Sequence, residues 1–255
     1  MGLLPERLLR VLERNAGLKK ALICGKWEME FEMVTGTGKS PGEGESFMDR
    51  IQKRPQTVSD CVWGSYLLLR RLPTGLRWVE FFGGVGIQTT LIQNLLVPVS
   101  HLVIERDELC YRHLQRQFPN VEIRHQDALE VLDSPPAADI YILDWNAWTI
   151  HHWDRWERHW KGLIEADPLG IIWWDTSKAF FHVNKNLYAQ ELHSEVRRPE
   201  DYARGFRHFL ADKFPAYALS TAVYCKFSTY YLLQRGSHPL EEFYTGGAEG
   251  FRWIS

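Results

Sequence analysis

Between Leu76 and Trp174 short apolar runs alternate with segments of helical period, and this alternation narrows the fold more than any other feature of the chain. Leu76–Phe82, His101–Ile104, Val121–Arg124, Ile140–Leu143 and Gly170–Trp174 read as strands. Each is short, rich in β-branched or aromatic residues, and bounded by glycine, proline or acidic breaks. The segments between them, Ile87–Leu96, Glu108–Phe118, a turn at Ala128–Leu132 and the stretch up to Glu165, read as helices. Strands joined through helices run parallel, because the crossover carries the chain back to the same end of the sheet. The last part differs. A helix over Pro199–Phe214 precedes Tyr217–Tyr224 and Thr229–Gln234, two strands too close in sequence for anything but an antiparallel hairpin. The expected fold is therefore α/β: a doubly wound, seven-stranded, mostly parallel sheet with an antiparallel last strand and helices on both faces.

Ahead of this region residues 1–56 read as an N-terminal extension. It holds an amphipathic helix (Leu3–Leu12), a strand-like run (Ala21–Val34) and a glycine-rich loop (Thr35–Gly44). The domain proper is expected over 57–255, entered by a helix from Thr57 to Leu72. Gly38-Lys39-Ser40 imitates a phosphate-binding loop, but Met33 stands where the first glycine is needed and Pro41-Gly42 prevents the following helix. Among 255 residues, 45% hydrophobic and 24% charged is the composition of a globular chain and excludes a disordered or fibrous one. Four dispersed cysteines (Cys24, Cys61, Cys110, Cys225) have neither metal-ligand nor disulfide-framework spacing. Reduced thiols, a cytoplasmic location and no metal are expected. No apolar stretch suits a membrane span, and the first residues do not resemble a signal peptide.

The chemistry gathers at the strand ends. Val79-Glu80-Phe81-Phe82-Gly83-Gly84-Val85-Gly86 runs from a strand through glycines into a helix, which lets backbone N–H groups approach a nucleotide cofactor. Thr89 occupies the position of the third glycine of a dinucleotide loop, and Glu80 inside the strand suits a ligand bearing an ammonium group rather than a pyrophosphate. Glu105, followed by Arg106, closes the second strand and can accept both hydroxyls of a ribose. Asp127 and the Ala128 backbone follow the third strand and can read an adenine edge. Asp144-Trp145-Asn146 follows the fourth. Any one of these acids alone reads best as a helix N-cap. Four at successive strand ends behind a glycine loop read better as a site.

On these residues the chain resembles the class I S-adenosylmethionine-dependent methyltransferases, a Rossmann-like family, over roughly Thr57 to Gln234. Glu80-x-Phe82-x-Gly84-x-Gly86 looks like the family's first motif in its phenylalanine variant. The spacing from Arg54-Pro55-Gln56-Thr57 onward is most similar to ribosomal RNA guanine-N2 methyltransferases. The resemblance implies S-adenosyl-L-methionine as cofactor, with Glu80, Phe82, Gly83, Gly84 and Gly86 at the methionine end. It implies Glu105 and Arg106 at the ribose, Asp127 and Ala128 at the adenine, and Asp144 at the fourth-motif position. Asp144 and Asn146 become the expected catalytic residues. The fourth motif is atypical: Asp144-Trp145-Asn146-Ala147 lacks the two prolines and the following aromatic of the amine-methylating members.

Five of the 11 tryptophans lie between 145 and 160. Trp153, Trp156 and Trp160 share one helix face and are expected to pack on the sheet. Trp145 and Trp148 precede the helix and are expected at the substrate, as stacking surfaces, with Asp175 and Lys178 lining the same cleft. A nucleic acid substrate, RNA before DNA, follows from the first-motif variant, the aromatics and a basic N-terminal third (12 basic and 9 acidic side chains in residues 1–75). Two other readings stay open: a small-molecule methyltransferase or aminopropyltransferase, and a binding module that keeps the fold without catalysis.

Overall fold

The computed structural model describes residues 62–144 apart from 63 and 85, then 153–175, much of 201–225, 229–245 and 251–253. The expected N-terminal extension, the loop bearing Trp145, Asn146 and Trp148, and Lys178 lie outside the described residues. So do the side chains of Trp153 and Trp156.

Among the described residues nine strands form one sheet: β1 (Arg77–Phe81), β2 (Ser100–Glu105), β3 (Glu122–His125), β4 (Ile140–Asp144), β5 (Gly170–Asp175), β6 (Tyr217–Tyr224), β7 (Thr229–Arg235), β8 (Glu241–Thr245) and β9 (Phe251–Trp253). Their spatial order is β3-β2-β1-β4-β5-β7-β6-β8-β9. The first five run parallel. β7 enters antiparallel between β5 and β6. The seven strands expected from the sequence are thus present with the last of them antiparallel, and β8 and β9 continue the sheet beyond them. Helices between the parallel strands are α1 (Ile87–Leu95), α2 (Glu108–Gln117), α3 (Ala128–Leu132) and α4 (Trp153–Glu165). Among the described residues no helix is long and apolar enough to cross a membrane.

Strand alternation sorts the core into two layers. Trp78, Ile140, Ile142, Ile172 and Leu232 face α1 and the residues 62–72 that precede β1, where Leu67, Leu68 and Leu91 complete the packing. Val79, Phe81, Tyr141, Leu143, Ile171, Trp173 and Leu233 face α3 and α4. The reading of the tryptophan stripe holds for Trp160. It is buried, and it meets Trp173 edge-on at 5.8 Å between ring centroids, while Trp173 lies 5.4 Å from Tyr231. Gly162 lets α4 approach α3: a Cβ there would stand 2.6 Å from the Leu132 carbonyl oxygen. Cys110 and Cys225 are buried.

Candidate functional site

The strand order reverses direction at β1, whose neighbours are β2 on one side and β4 on the other. In open parallel sheets the crevice beyond the carboxyl ends of two such strands is where ligands bind. Register places the candidate acids there. Phe81 pairs with Ile104 of β2 and with Leu143 of β4, so Glu105, Phe82 and Asp144 stand level across three strands. Asp144 pairs with Trp174, which sets Asp175 one residue further along β5.

The glycine turn is held tightly. The N–H groups of Phe82 and Gly83 both donate to the Ile104 carbonyl, at 3.0 and 3.3 Å, so pairing to β2 continues past the end of β1. Phe82, Gly84 and Gly86 all have positive φ (62°, 53° and 77°). Glycine adopts that conformation freely, whereas for Phe82 it is strained and must be enforced by its surroundings. A Cβ on Gly83 would meet Val103 at 2.2 Å, so the turn sits directly on β2.

Glu105 is buried, and its carboxylate accepts from Gly84 N–H at 2.7 Å and Asp107 N–H at 2.6 Å. Burial pushes its pKa up, with the backbone N–H groups of Asp107, Gly84 and Arg106 offsetting part of the rise. An ionised carboxylate has about four lone-pair sites, which leaves capacity for an incoming hydroxyl. Asp127 caps α3 through Leu129 N–H (3.0 Å) and accepts from Arg106 at 2.8 Å. These contacts, the Leu129 N–H first, hold its pKa below the ordinary carboxylate value. Its structural role as a cap is therefore real, and Arg106 reaches Asp127 rather than standing beside Glu105 alone. Ala128 is buried at the first helical position, in the core layer that holds Phe81 and Tyr141. Asp107, which no sequence motif marks, caps α2 by accepting from Leu109 and Cys110 N–H groups at 2.9 Å.

Three helices at this edge are not equivalent. Asp107 caps α2 and Asp127 caps α3, but α1 starts at Gly86 with no side-chain cap. The helix behind the glycine turn thus offers its first N–H groups to whatever occupies the crevice.

Glu80, which the sequence motif puts at the methionine end of the cofactor, is 0% exposed. The strand pleat turns it, with Trp78, toward α1. There its Oε2 accepts from the Thr89 hydroxyl at 2.7 Å and lies 3.3 Å from His101 Nε2. Sequence reasoning assigns neither Thr89 nor His101 to the site. The signals were present: Thr89 replaces a glycine one turn into α1, and His101 shares a face with Val103 and Glu105 by alternation. Asp144 and Asp175 end β4 and β5 at the same edge. No cluster of three or more potential metal ligands occurs among the described residues.

No protein-family model matches the sequence, and neither does any curated protein. Solved structures with a similar arrangement include an S-adenosylmethionine-dependent methyltransferase from Aquifex aeolicus, 13% identical, over 68% of this chain and 89% of that one, with a TM-score of 0.44. Another is the magnesium protoporphyrin IX methyltransferase of Synechocystis with bound S-adenosylhomocysteine, 14% identical over 76% of this chain and 90% of that one, with a TM-score of 0.48.

Proposed function

We propose that the protein is an enzyme that transfers a methyl group from S-adenosyl-L-methionine to an acceptor held beyond β4. The observation that carries this reading is the uncapped start of α1, which opens on the crevice level with Glu105 across the glycine turn. Glu105 takes the ribose hydroxyls, Asp127 with Arg106 and Ala128 borders the base, and the turn from Phe82 to Gly86 receives the methionine portion. Asp144 and Asn146 orient the acceptor, with Trp145 and Trp148 as stacking surfaces and Asp175 and Lys178 further along the cleft. The sulfonium is an activated donor, so alignment and exclusion of water supply much of the rate. The acceptor is nucleic acid, RNA before DNA, a reading that rests on the basic first third of the sequence and the aromatics around Trp145. A cytoplasmic setting is part of this reading, on the dispersed spacing of the four cysteines in the sequence.

Titration calorimetry of the full chain with S-adenosylmethionine and S-adenosylhomocysteine tests the cofactor. Saturable binding of both is expected, and no binding at millimolar ligand refutes the reading. Transfer of a labelled methyl group to pools of RNA, DNA and metabolites then tests the acceptor. Labelled metabolites with unlabelled nucleic acid would overturn the RNA assignment.

A further inference from the structure

A buried polar network lies under α1. Glu80 (β1) and His101 (β2) have side chains 0% and 1% exposed. Thr89 and Gln93 come from α1, four residues apart and therefore on one face of the helix. Thr89 donates to Glu80 Oε2 at 2.7 Å, and Gln93 Nε2 lies 3.0 Å from His101 Nδ1. An amide nitrogen can only donate, so His101 Nδ1 accepts and the ring proton sits on Nε2, facing Glu80 Oε2 at 3.3 Å. The helix is thus gripped at two points, Thr89 by Glu80 of β1 and Gln93 by His101 of β2, with His101 Nε2 3.3 Å from Glu80 Oε2.

This grip closes a ring around the glycine turn. Glu80 precedes the turn, Thr89 follows it, and their hydrogen bond fixes the distance between its ends. Between them lies the Phe82 backbone at φ 62°, a conformation that persists only where neighbouring contacts enforce it. Other holds on the turn are the bonds from Phe82 and Gly83 N–H to Ile104 and from Gly84 N–H to Glu105. Those bonds tie the turn to β2. The Thr89–Glu80 bond ties it back to its own strand and sets the position of the open end of α1.

We propose that Thr89 and His101 are positioning residues of the cofactor site: Thr89 through Glu80, and His101 through Gln93, hold the glycine turn and the first turn of α1 in the conformation that receives the ligand. This rests on the cofactor reading given above. Without the grip the turn visits the receptive conformation only part of the time, and apparent affinity falls by that fraction.

The test measures S-adenosylhomocysteine affinity by calorimetry, and amide hydrogen exchange at residues 82–86, on the full chain. Thr89→Val removes the hydroxyl at nearly constant shape, Thr89→Ser keeps it, and His101→Gln removes the second hold. Thr89→Val and His101→Gln should each bind about tenfold more weakly, as a receptive population near one tenth would give. Both should exchange faster at 82–86, while Thr89→Ser stays close to wild type in both measurements. A folded Thr89→Val with wild-type affinity and exchange overturns the proposal, as does a Thr89→Ser no better than Thr89→Val. If Thr89→Val does not fold, His101→Gln decides: unchanged exchange at 82–86 overturns it. If the wild-type protein binds no S-adenosylhomocysteine, the cofactor reading fails by itself. The exchange comparison still tests the hold on the turn.

Discussion

Replacing Gly86 with alanine separates the two physical demands made at the start of α1. The residue has φ 77°, and a Cβ there would lie 2.7 Å from Phe118 Cε2 and 2.8 Å from Leu114 Cδ2. The left-handed backbone costs an alanine about 1–2 kcal/mol. Forcing a methyl group between two packed side chains of the α2 region adds about 1–3 kcal/mol. Gly86→Ala should therefore destabilise the protein by about 2–5 kcal/mol in total. Gly75 is the control: its φ is 75°, almost the same, but nothing lies within 4 Å of the place a methyl group would take. Gly75→Ala carries only the backbone cost of about 1–2 kcal/mol, and the loss of unfolded-state freedom is common to both changes. The difference, about 1–3 kcal/mol, isolates the steric demand. Urea unfolding followed by tryptophan fluorescence measures it as a shift in midpoint at constant slope. Phe118→Leu in the Gly86→Ala background should recover part of the loss. Equal destabilisation by the two alanine substitutions would refute the close packing of Leu114 and Phe118 over the turn at Gly86.

Trp173 is fully buried between Trp160 and Tyr231, so Trp173→Ala should cost about 3–5 kcal/mol in the same assay, and a loss under about 1 kcal/mol would contradict the packing described. Asp127 and Asp139 have pKa values below the ordinary carboxylate value, Asp127 chiefly through Leu129 N–H and Asp139 chiefly through Arg77. Their contribution is present above the unfolded pKa of about 3.9 and is lost as pH falls through the lower folded values. Asp139→Asn should accordingly flatten the acid limb of stability against pH, and an unchanged limb would count against the Arg77–Asp139 pair. Burial pushes the Cys110 thiol pKa well above its usual value, so a thiol reagent at pH 8 should leave Cys110 unlabelled in the native protein and label it after unfolding; peptide mass analysis reads the difference.

Much of this architecture is written in local pattern. Alternating apolar runs and helical periods specify strands and crossover helices because each must bury one face, and the short link between β6 and β7 admits only an antiparallel turn. The acids at the ends of β2, β3 and β4 are legible for the same reason: a residue at a strand end lies at the sheet edge whatever surrounds it. β8 and β9 are not legible, because both are short and carry charges (Glu241–Thr245, Phe251–Trp253) and glycines lie between them, and such segments become strands only when an existing edge pairs with them.

Sequence alone therefore determined the strand–helix succession, the parallel sheet with its reversed strand, and the position of Glu105 and Asp127 at its carboxyl edge, since each follows from spacing along the chain. The tertiary structure decided what each acid meets. Glu80 was legible as an acid beside a glycine loop, yet whether it faces the crevice or the underside of α1 depends on the pleat of β1 and on which side that helix returns. Those are set by the packing of α1 on Trp78 and Ile142, and the partners Thr89 and His101, 9 and 21 residues away in the chain, meet Glu80 only once that packing exists.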